Sequence, residues 1–322
     1  MSLNGKVILV TGGTGSFGRR FVDTVLKRYT PKKVIVFSRD ELKQSEMARE
    51  INGKPMRYFI GDVRDLERLR RAMTGVDLVV HAAALKQVPA CEYNPFEAVK
   101  TNIIGASNVI DAAIDRGVSK VLALSTDKAV NPVNLYGATK LCAEKLFVQG
   151  NAYARESGTR FSCCRYGNVV GSRGSVIPLF LEQKKNGSIT VTDERMTRFW
   201  ITLQQGVDFV IDSLEIMRGG EVFVPKIPSM RVTDLARAVA PGYAIAITGI
   251  RPGEKVHEVL VSEDEAHHAV EMPDRYVIKP LHPWWNVGDW ADARPVPDGF
   301  RFSSDANESW LTVGDLQKLI TE

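Results

Sequence analysis

A doubly wound α/β fold, with a largely parallel sheet and a smaller carboxyl-terminal lobe, is what this chain predicts, and three observations carry that expectation. The first strand-like run, Lys6-Val7-Ile8-Leu9-Val10, passes directly into Thr11-Gly12-Gly13-Thr14-Gly15-Ser16-Phe17-Gly18 and then into a helical pattern reaching Tyr29. Short apolar runs then recur with helical stretches between them, the rhythm of βαβ units and not of hairpins. That rhythm is lost after Tyr166. The main domain is therefore expected at residues 1–170 and the second lobe with its tail at 171–322, some segments of which can return to the main sheet.

Composition narrows the classes of function. The 322 residues are 44% hydrophobic and 25% charged, which is enough apolar material for a sizeable core. A net charge of +4 without a long basic run points to neither nucleic acid nor an anionic membrane as partner. The opening Met1-Ser2-Leu3-Asn4-Gly5-Lys6 has no signal-peptide core, and no later run approaches the roughly 18 apolar residues of a membrane span, so a cytoplasmic protein is expected. Four cysteines, two of them adjacent at Cys163-Cys164, have neither metal-ligand spacing nor a disulfide pattern; reduced thiols and no metal are expected.

The glycine turn is the first chemical signal. Gly13, Gly15 and Gly18 satisfy G-x-G-x-x-G, and Gly12, Gly15 and Gly18 satisfy a G-x-x-G-x-x-G variant. Either lets backbone amides and a helix N-terminus approach a pyrophosphate, so Gly12, Thr14, Gly15, Ser16, Phe17 and Gly18 are assigned to a dinucleotide cofactor. The next strand, Val34-Ile35-Val36-Phe37, ends in Ser38-Arg39-Asp40, about 20 residues on, where an adenosine ribose is read. Arg39, with Ser38 and Lys43, suits the 2′-phosphate of NADP, while Asp40 keeps NAD open.

Strands follow at Met56–Ile60 and Leu78–His81, with a helix over Leu66–Met73 between them. Asp62 and Val63 end one strand, and Ala82, Ala83 and Ala84 follow the other. Asp62 either receives the adenine amino group or caps a helix. The three alanines let a cofactor pass closely. His81 has no metal-binding companion and is assigned no chemistry. Asn94-Pro95 opens a long helix through Ala113.

Val121-Leu122-Ala123-Leu124 then reads as a buried strand, and Asn131-Pro132 breaks any helix before Leu135. The polar Ser125-Thr126-Asp127-Lys128 thus stands at the carboxyl end of a strand, where open α/β sheets bind ligands. Tyr136 and Lys140, spaced i,i+4, share one helix face. An ammonium close by would pull the phenol toward neutrality and make it a general base.

These segments together resemble the extended short-chain dehydrogenase/reductase superfamily, whose nucleotide-binding half is a Rossmann fold. Further stretches narrow the resemblance: Ser38–Met47, Leu85-Lys86-Gln87-Val88-Pro89, Ser125-Thr126-Asp127-Lys128-Ala129, Arg165–Ser175 and Arg251-Pro252-Gly253-Glu254-Lys255 look like the inverting UDP-N-acetylglucosamine 4,6-dehydratases that begin pseudaminic acid synthesis. The resemblance runs from about residue 5 to 280. Some relatives carry a membrane-spanning amino-terminal region, and this chain looks like the form without one.

The resemblance implies a catalytic set of Thr126, Asp127, Lys128, Tyr136 and Lys140. Retaining dehydratases of the superfamily have Asp-Glu where this chain has Asp127-Lys128, which makes Lys128 the base at carbon 5, with its pKa lowered by desolvation and by Lys140. NADP contacts are implied for Lys86, Tyr166 and Asn168 as well as Tyr136 and Lys140. UDP-N-acetylglucosamine contacts are implied for Lys86, Asn168, Arg173, Val176, Arg198, Arg251 and Glu254. From the residues alone, surface salt bridges account better for Arg198, Arg251 and Glu254. The resemblance further implies a homo-oligomer, dimer or hexamer. Trp284, Trp285 and Trp290 either pack the tail onto the lobe or form a subunit contact. Two other readings remain: a UDP-hexosamine 4-epimerase, alone or combined with dehydratase activity, and a non-catalytic NADP-binding scaffold, against which the intact Tyr136/Lys140 pair speaks.

Overall fold

The computed structural model of the chain describes residues 3–170, 176–281, 288, 290 and 293–321. Six strands head the architecture: β1 (Val7–Thr11), β2 (Lys33–Ser38), β3 (Met56–Ile60), β4 (Leu78–His81), β5 (Lys120–Leu124) and β6 (Arg160–Cys164). They pair in parallel in the spatial order β3-β2-β1-β4-β5-β6. That is the order of a dinucleotide-binding sheet, and its switch point falls between β1 and β4. All residues of β1 and β4 are buried, as near-continuous apolar strands covered on both faces must be.

Helices cover the two faces. Helix Ser16–Arg28 buries Phe21, Val22 and Val25 against the sheet. The run opened by Asn94-Pro95 continues to Asp115 but is not uniform: Lys100–Ile104 widens into π-helix before α-helix resumes at Gly105. Asn102 in the widened turn ties three segments together, accepting from Leu85 N at 2.8 Å and donating to Leu85 O at 2.9 Å and Thr139 Oγ1 at 3.0 Å. The strand end that carries Lys86 is thereby fixed to the helix that carries Tyr136.

The βα rhythm does not stop at Tyr166. Helix Leu203–Ile216 leads into Val222–Pro225, which pairs in parallel with β6, and Arg275–Ile278 then adds antiparallel to that strand. Long intervening excursions hide this unit in the sequence. Those excursions build a second apolar core, in which Ile177, Phe180, Ile189, Trp200, Met230 and Leu235 are all buried. Trp284 and Trp285 lie outside the described residues. Trp290 is buried and meets Phe223 of the main sheet edge-on, with ring centroids 5.8 Å apart, so it closes the sheet and not the lobe. No helix among the described residues is long and apolar enough to cross a membrane.

Candidate active site

The carboxyl ends of the parallel strands open into one cleft of about 860 Å³. Its floor is made by a turn held from both sides. Gly12 N donates to Phe37 O at the end of β2 (2.9 Å), and Thr11 Oγ1 meets His81 Nδ1 at the end of β4 (2.8 Å). Gly12 has φ +66°, and a Cβ there would stand 2.9 Å from Ala83 N, so only glycine lets the turn lie against Ala82-Ala83. His81 is buried, and its imidazole is held neutral at a pKa of about 3 by desolvation and by the charge of Lys140. It serves as a strut.

Gly12, Thr14, Gly15, Ser16, Phe17 and Gly18 all line the cleft. The first turn of helix Ser16–Arg28 carries no acid, so its positive end is open to phosphate. Cleft size, close backbone approach and this helix end fit a dinucleotide.

At the adenosine end Ser38, Arg39, Lys43, Asp62 and Val63 line the same space. Asp40 lines the space too, but its carboxylate is engaged: it accepts from Lys43 N at 3.0 Å as the cap of helix Glu41–Glu50, and it pairs with Lys43 Nζ. Lys43 is thus tied to Asp40 while it lines the cleft beside Arg39. Arg39 is half exposed, with only a loose approach of 3.7 Å to Asp62. Asp62 does not cap the following helix; Asp65 does. Burial works to raise the pKa of Asp62, yet hydrogen bonds from Arg64 and the charge of Arg39 bring it below the ordinary carboxylate value.

The turn that carries Asp127 and Lys128 is built by local capping. Thr126 caps the single 3₁₀ turn Asp127–Ala129 and donates to Asp127 Oδ1 at 2.9 Å. Asn134 caps helix Leu135–Tyr153, accepting from Gly137 N, and its amide reaches Gly253 O, each at 2.8 Å. Gly137 is required by closeness: a Cβ there would fall 2.1 Å from Lys128 O. The helix therefore rests directly on the turn it faces. Lys140 is buried and donates to Leu124 O at 2.6 Å.

Electrostatics here depart from expectation. Burial raises the Tyr136 phenol to about 12; the opposing charge comes from Lys128, with a hydrogen bond to Thr126. Lys140 is not the group that lowers it. Lys128 is likewise not lowered. Burial pulls its ammonium down, but the carboxylates of Asp127 and Glu258 overcome that and hold it above the ordinary lysine value. Lys128 Nζ lies 3.1 Å from Asp127 Oδ1 and 3.5 Å from Glu258 Oε1. Asp127 is fully buried, and its Oδ2 has no hydrogen-bond partner.

Lys86, Tyr166, Asn168, Val176, Arg251 and Glu254 also line the cleft, as do Ala82, Ala83 and Ala84. Burial lowers the Lys86 pKa and raises that of Tyr166. Arg251 and Glu254 pair at 2.8 Å on the rim. Arg198 is mostly buried, donating to Thr197 O and Val256 O at 2.7 and 3.0 Å, which a plain surface salt bridge would not require. Arg173 lies outside the described residues. Sequence reasoning missed Glu258, Lys255 and Trp200. Lys255 ends the Arg251–Lys255 stretch without a role being read for it, no motif marks Glu258 or Trp200, and all three reach the site through tertiary contacts.

Comparisons with known proteins agree with this fold. The family described as "Polysaccharide biosynthesis protein" matches residues 8–280. A curated relative from Campylobacter jejuni, "UDP-N-acetylglucosamine 4,6-dehydratase (inverting)", is 54% identical over 98% of both chains. A "UDP-glucose 4-epimerase" from Rickettsia conorii is 45% identical over 85% of this chain and 82% of its own. The solved structure of Pen from Bacillus thuringiensis superposes with a TM-score of 0.92 at 42% identity, covering 100% of this chain and 98% of that one.

Proposed function

The chain belongs to the polysaccharide biosynthesis protein family, and on that premise we propose that it is an inverting UDP-N-acetylglucosamine 4,6-dehydratase. The observation that carries this reading is the Asp127–Lys128 pair, 3.1 Å apart, in the turn beside Tyr136. A 4-epimerase must only oxidise and reduce carbon 4. It has no need of an acid for the 6-hydroxyl or a base for carbon 5.

A nicotinamide dinucleotide, which the glycine turn Gly12–Gly18 and the Ala82–Ala84 run would hold, would supply the hydride acceptor for carbon 4 and the hydride donor for carbon 6. Tyr136, with Thr126, takes the proton of the 4-hydroxyl. The resulting ketone acidifies the carbon 5 proton. Lys128 as an amine takes that proton, Asp127 as an acid protonates the departing 6-hydroxyl, and water leaves as carbon 5 and carbon 6 become doubly bonded. Passing a proton from Lys128 to Asp127 along their hydrogen bond produces the amine and the acid together, without a proton from solvent. A proton returned to carbon 5 on the opposite face inverts that centre and gives the L-arabino 4-keto-6-deoxy sugar.

NADP is the cofactor of this reading, because Asp40 is engaged by its own helix while Arg39 remains available to a 2′-phosphate. Residues 1–170 hold the cofactor, and the lobe built mainly from 171–322 holds UDP through Arg198, Arg251 and Glu254. The four cysteines, all free thiols, fit a cytoplasmic setting. A homo-oligomer would cover Tyr93, Phe96 and Tyr153, which stand exposed. The product feeds pseudaminic acid synthesis.

A second reading rests on the 45% identical epimerase relative. Proton NMR of UDP-N-acetylglucosamine incubated with the protein separates the two. A new methyl doublet with loss of the hydroxymethyl group supports the dehydratase. A sugar that keeps its hydroxymethyl group and changes only at carbon 4 establishes the epimerase.

A further inference from the structure

We propose that Glu258 is a positioning residue that sets both the place and the protonation of Lys128. The inference deepens the dehydratase reading and rests on its assignment of Lys128. Glu258 stands just before strand Val259–Val261, far along the chain from the catalytic turn, and is only 3% exposed. Its backbone is fixed: Glu258 N donates to Ser304 Oγ at 2.9 Å, and that hydroxyl meets Thr197 Oγ1 at 2.7 Å. Its side chain gathers three cations from three segments. Lys128 Nζ is 3.5 Å from Oε1, Arg198 Nε 3.8 Å from Oε1, and Lys255 Nζ 3.9 Å from Oε2.

These are ion pairs at loose distance, and Glu258 Oε2 is buried with no hydrogen-bond partner. A buried carboxylate held only for stability would have its oxygens satisfied. Here the charge is kept while one oxygen is left over. The groups facing Lys128 are Asp127 and Glu258 on the acid side, and Arg198, Lys255 and the Tyr136 phenol on the other. Asp127 exchanges a proton with Lys128. Glu258, just before strand Val259–Val261, opposes loss of that proton and so fixes how readily the amine forms. It also anchors Nζ, because about a quarter of the Lys128 side chain remains exposed to the cleft. Lys255 donates to Val130 O at 2.5 Å, which ties the same loop to the end of the catalytic turn.

The test uses the full chain labelled with carbon-13 at the lysine ε position, with the Lys128 resonance identified by its loss in Lys128→Ala. In the wild type this lysine should titrate above the ordinary value. In Glu258→Gln its midpoint should fall by about one to three pH units, the usual effect of removing one nearby opposite charge. Glu258→Asp keeps the charge but withdraws it by one methylene, and its midpoint should fall by less. Entry of solvent deuterium at carbon 5, plotted against pH, should move to lower pH in parallel. A merely structural glutamate would lower Tm and leave the Lys128 midpoint in place. An unchanged midpoint in folded Glu258→Gln overturns the proposal. If that variant does not fold, a wild-type midpoint in Glu258→Asp overturns it equally. A wild-type protein with the expected titration that makes no 4-keto-6-deoxy sugar would remove the dehydratase reading and leave the hold of Glu258 on Lys128 standing.

Discussion

Two buried clusters of charge touch the segments around helix Leu135–Tyr153, and they are built to opposite specifications. In the first, Arg165 is fully buried, and every guanidinium nitrogen is used. Nε donates to Glu144 at 3.1 Å, Nη1 to Leu260 O and Glu265 at 2.9 and 2.8 Å, and Nη2 to both Glu144 and Glu265. In the second, Asp127, Lys128 and Glu258 are held at 3.1 and 3.5 Å, and two carboxylate oxygens have no hydrogen-bond partner. The first cluster has no spare valence and joins the helix to β6 and to the start of helix Glu263–Ala266. The second keeps acceptor capacity next to the cleft. Satisfied burial marks a strut, and unsatisfied burial beside a cleft marks a place where protons move.

The comparison predicts that damage to the two clusters shows in different measurements. The largest effect is on chemistry. Lys128→Ala should lower turnover by a factor of about 10² to 10⁴, a larger loss than the destabilisation from leaving buried Asp127 without its counter-charge can explain. Tyr136→Phe should cost a similar factor in cofactor reduction. Since burial raises the Tyr136 phenol to about 12, the wild-type rate of that step should climb with pH through the alkaline range. A flat profile would remove Tyr136 as the base.

Arg165→Ala should do the reverse. It leaves Glu144 buried without its counter-charge, and a loss of about 3–5 kcal/mol is expected in urea unfolding. The same cluster has a pH signature. Burial acts to raise Glu265, but Arg165 outweighs it, and the folded-state pKa lies below the ordinary 4.5. A carboxylate lowered on folding adds stability above its unfolded pKa, and that stability disappears as pH falls through the folded value. Glu265→Gln should therefore flatten the acid limb of the stability curve below about pH 4.5. An unchanged limb would mean that the cluster is not what resists acid.

Gly137→Ala lies between the clusters. The added methyl would overlap Lys128 O, whose carbonyl cannot yield without moving the turn. Stability should fall by roughly 1–3 kcal/mol, with turnover falling further than stability alone explains. The smallest effect concerns the cofactor. Arg39→Ala should weaken NADP about tenfold, roughly the worth of a charge-assisted hydrogen bond, and leave NAD nearly unchanged. Equal losses for both would remove the reason for choosing NADP.

The two ends of the cleft also differ in how far the sequence discloses them. The glycine turn, Ser38-Arg39-Asp40, Asp62 and the Ala82–Ala84 run each stand at the carboxyl end of a strand, and all but Asp62 end a contiguous apolar run. Their function is carried by backbone geometry, which leaves a local signature. Tyr136 and Lys140 are legible for the same reason, since helix periodicity fixes their shared face. Glu258, Lys255 and Arg198 carry no such mark. They converge near Lys128 because separate excursions of the chain fold back onto the turn that follows β5, and the direction of the Lys128 shift depends on that convergence. The Val222–Pro225 strand was obscured similarly, because long insertions interrupt its βαβ unit.

The central claim, that Asp127 and Lys128 divide an elimination that inverts carbon 5, is tested most directly by one reaction. Wild-type protein, NADP and UDP-N-acetylglucosamine are mixed in deuterium oxide, and the product is read by proton NMR. The account predicts deuterium at carbon 5, the original carbon 4 hydrogen in the new carbon 6 methyl group, and the L-arabino configuration. A product that keeps the D configuration, or one with no deuterium at carbon 5, would contradict it.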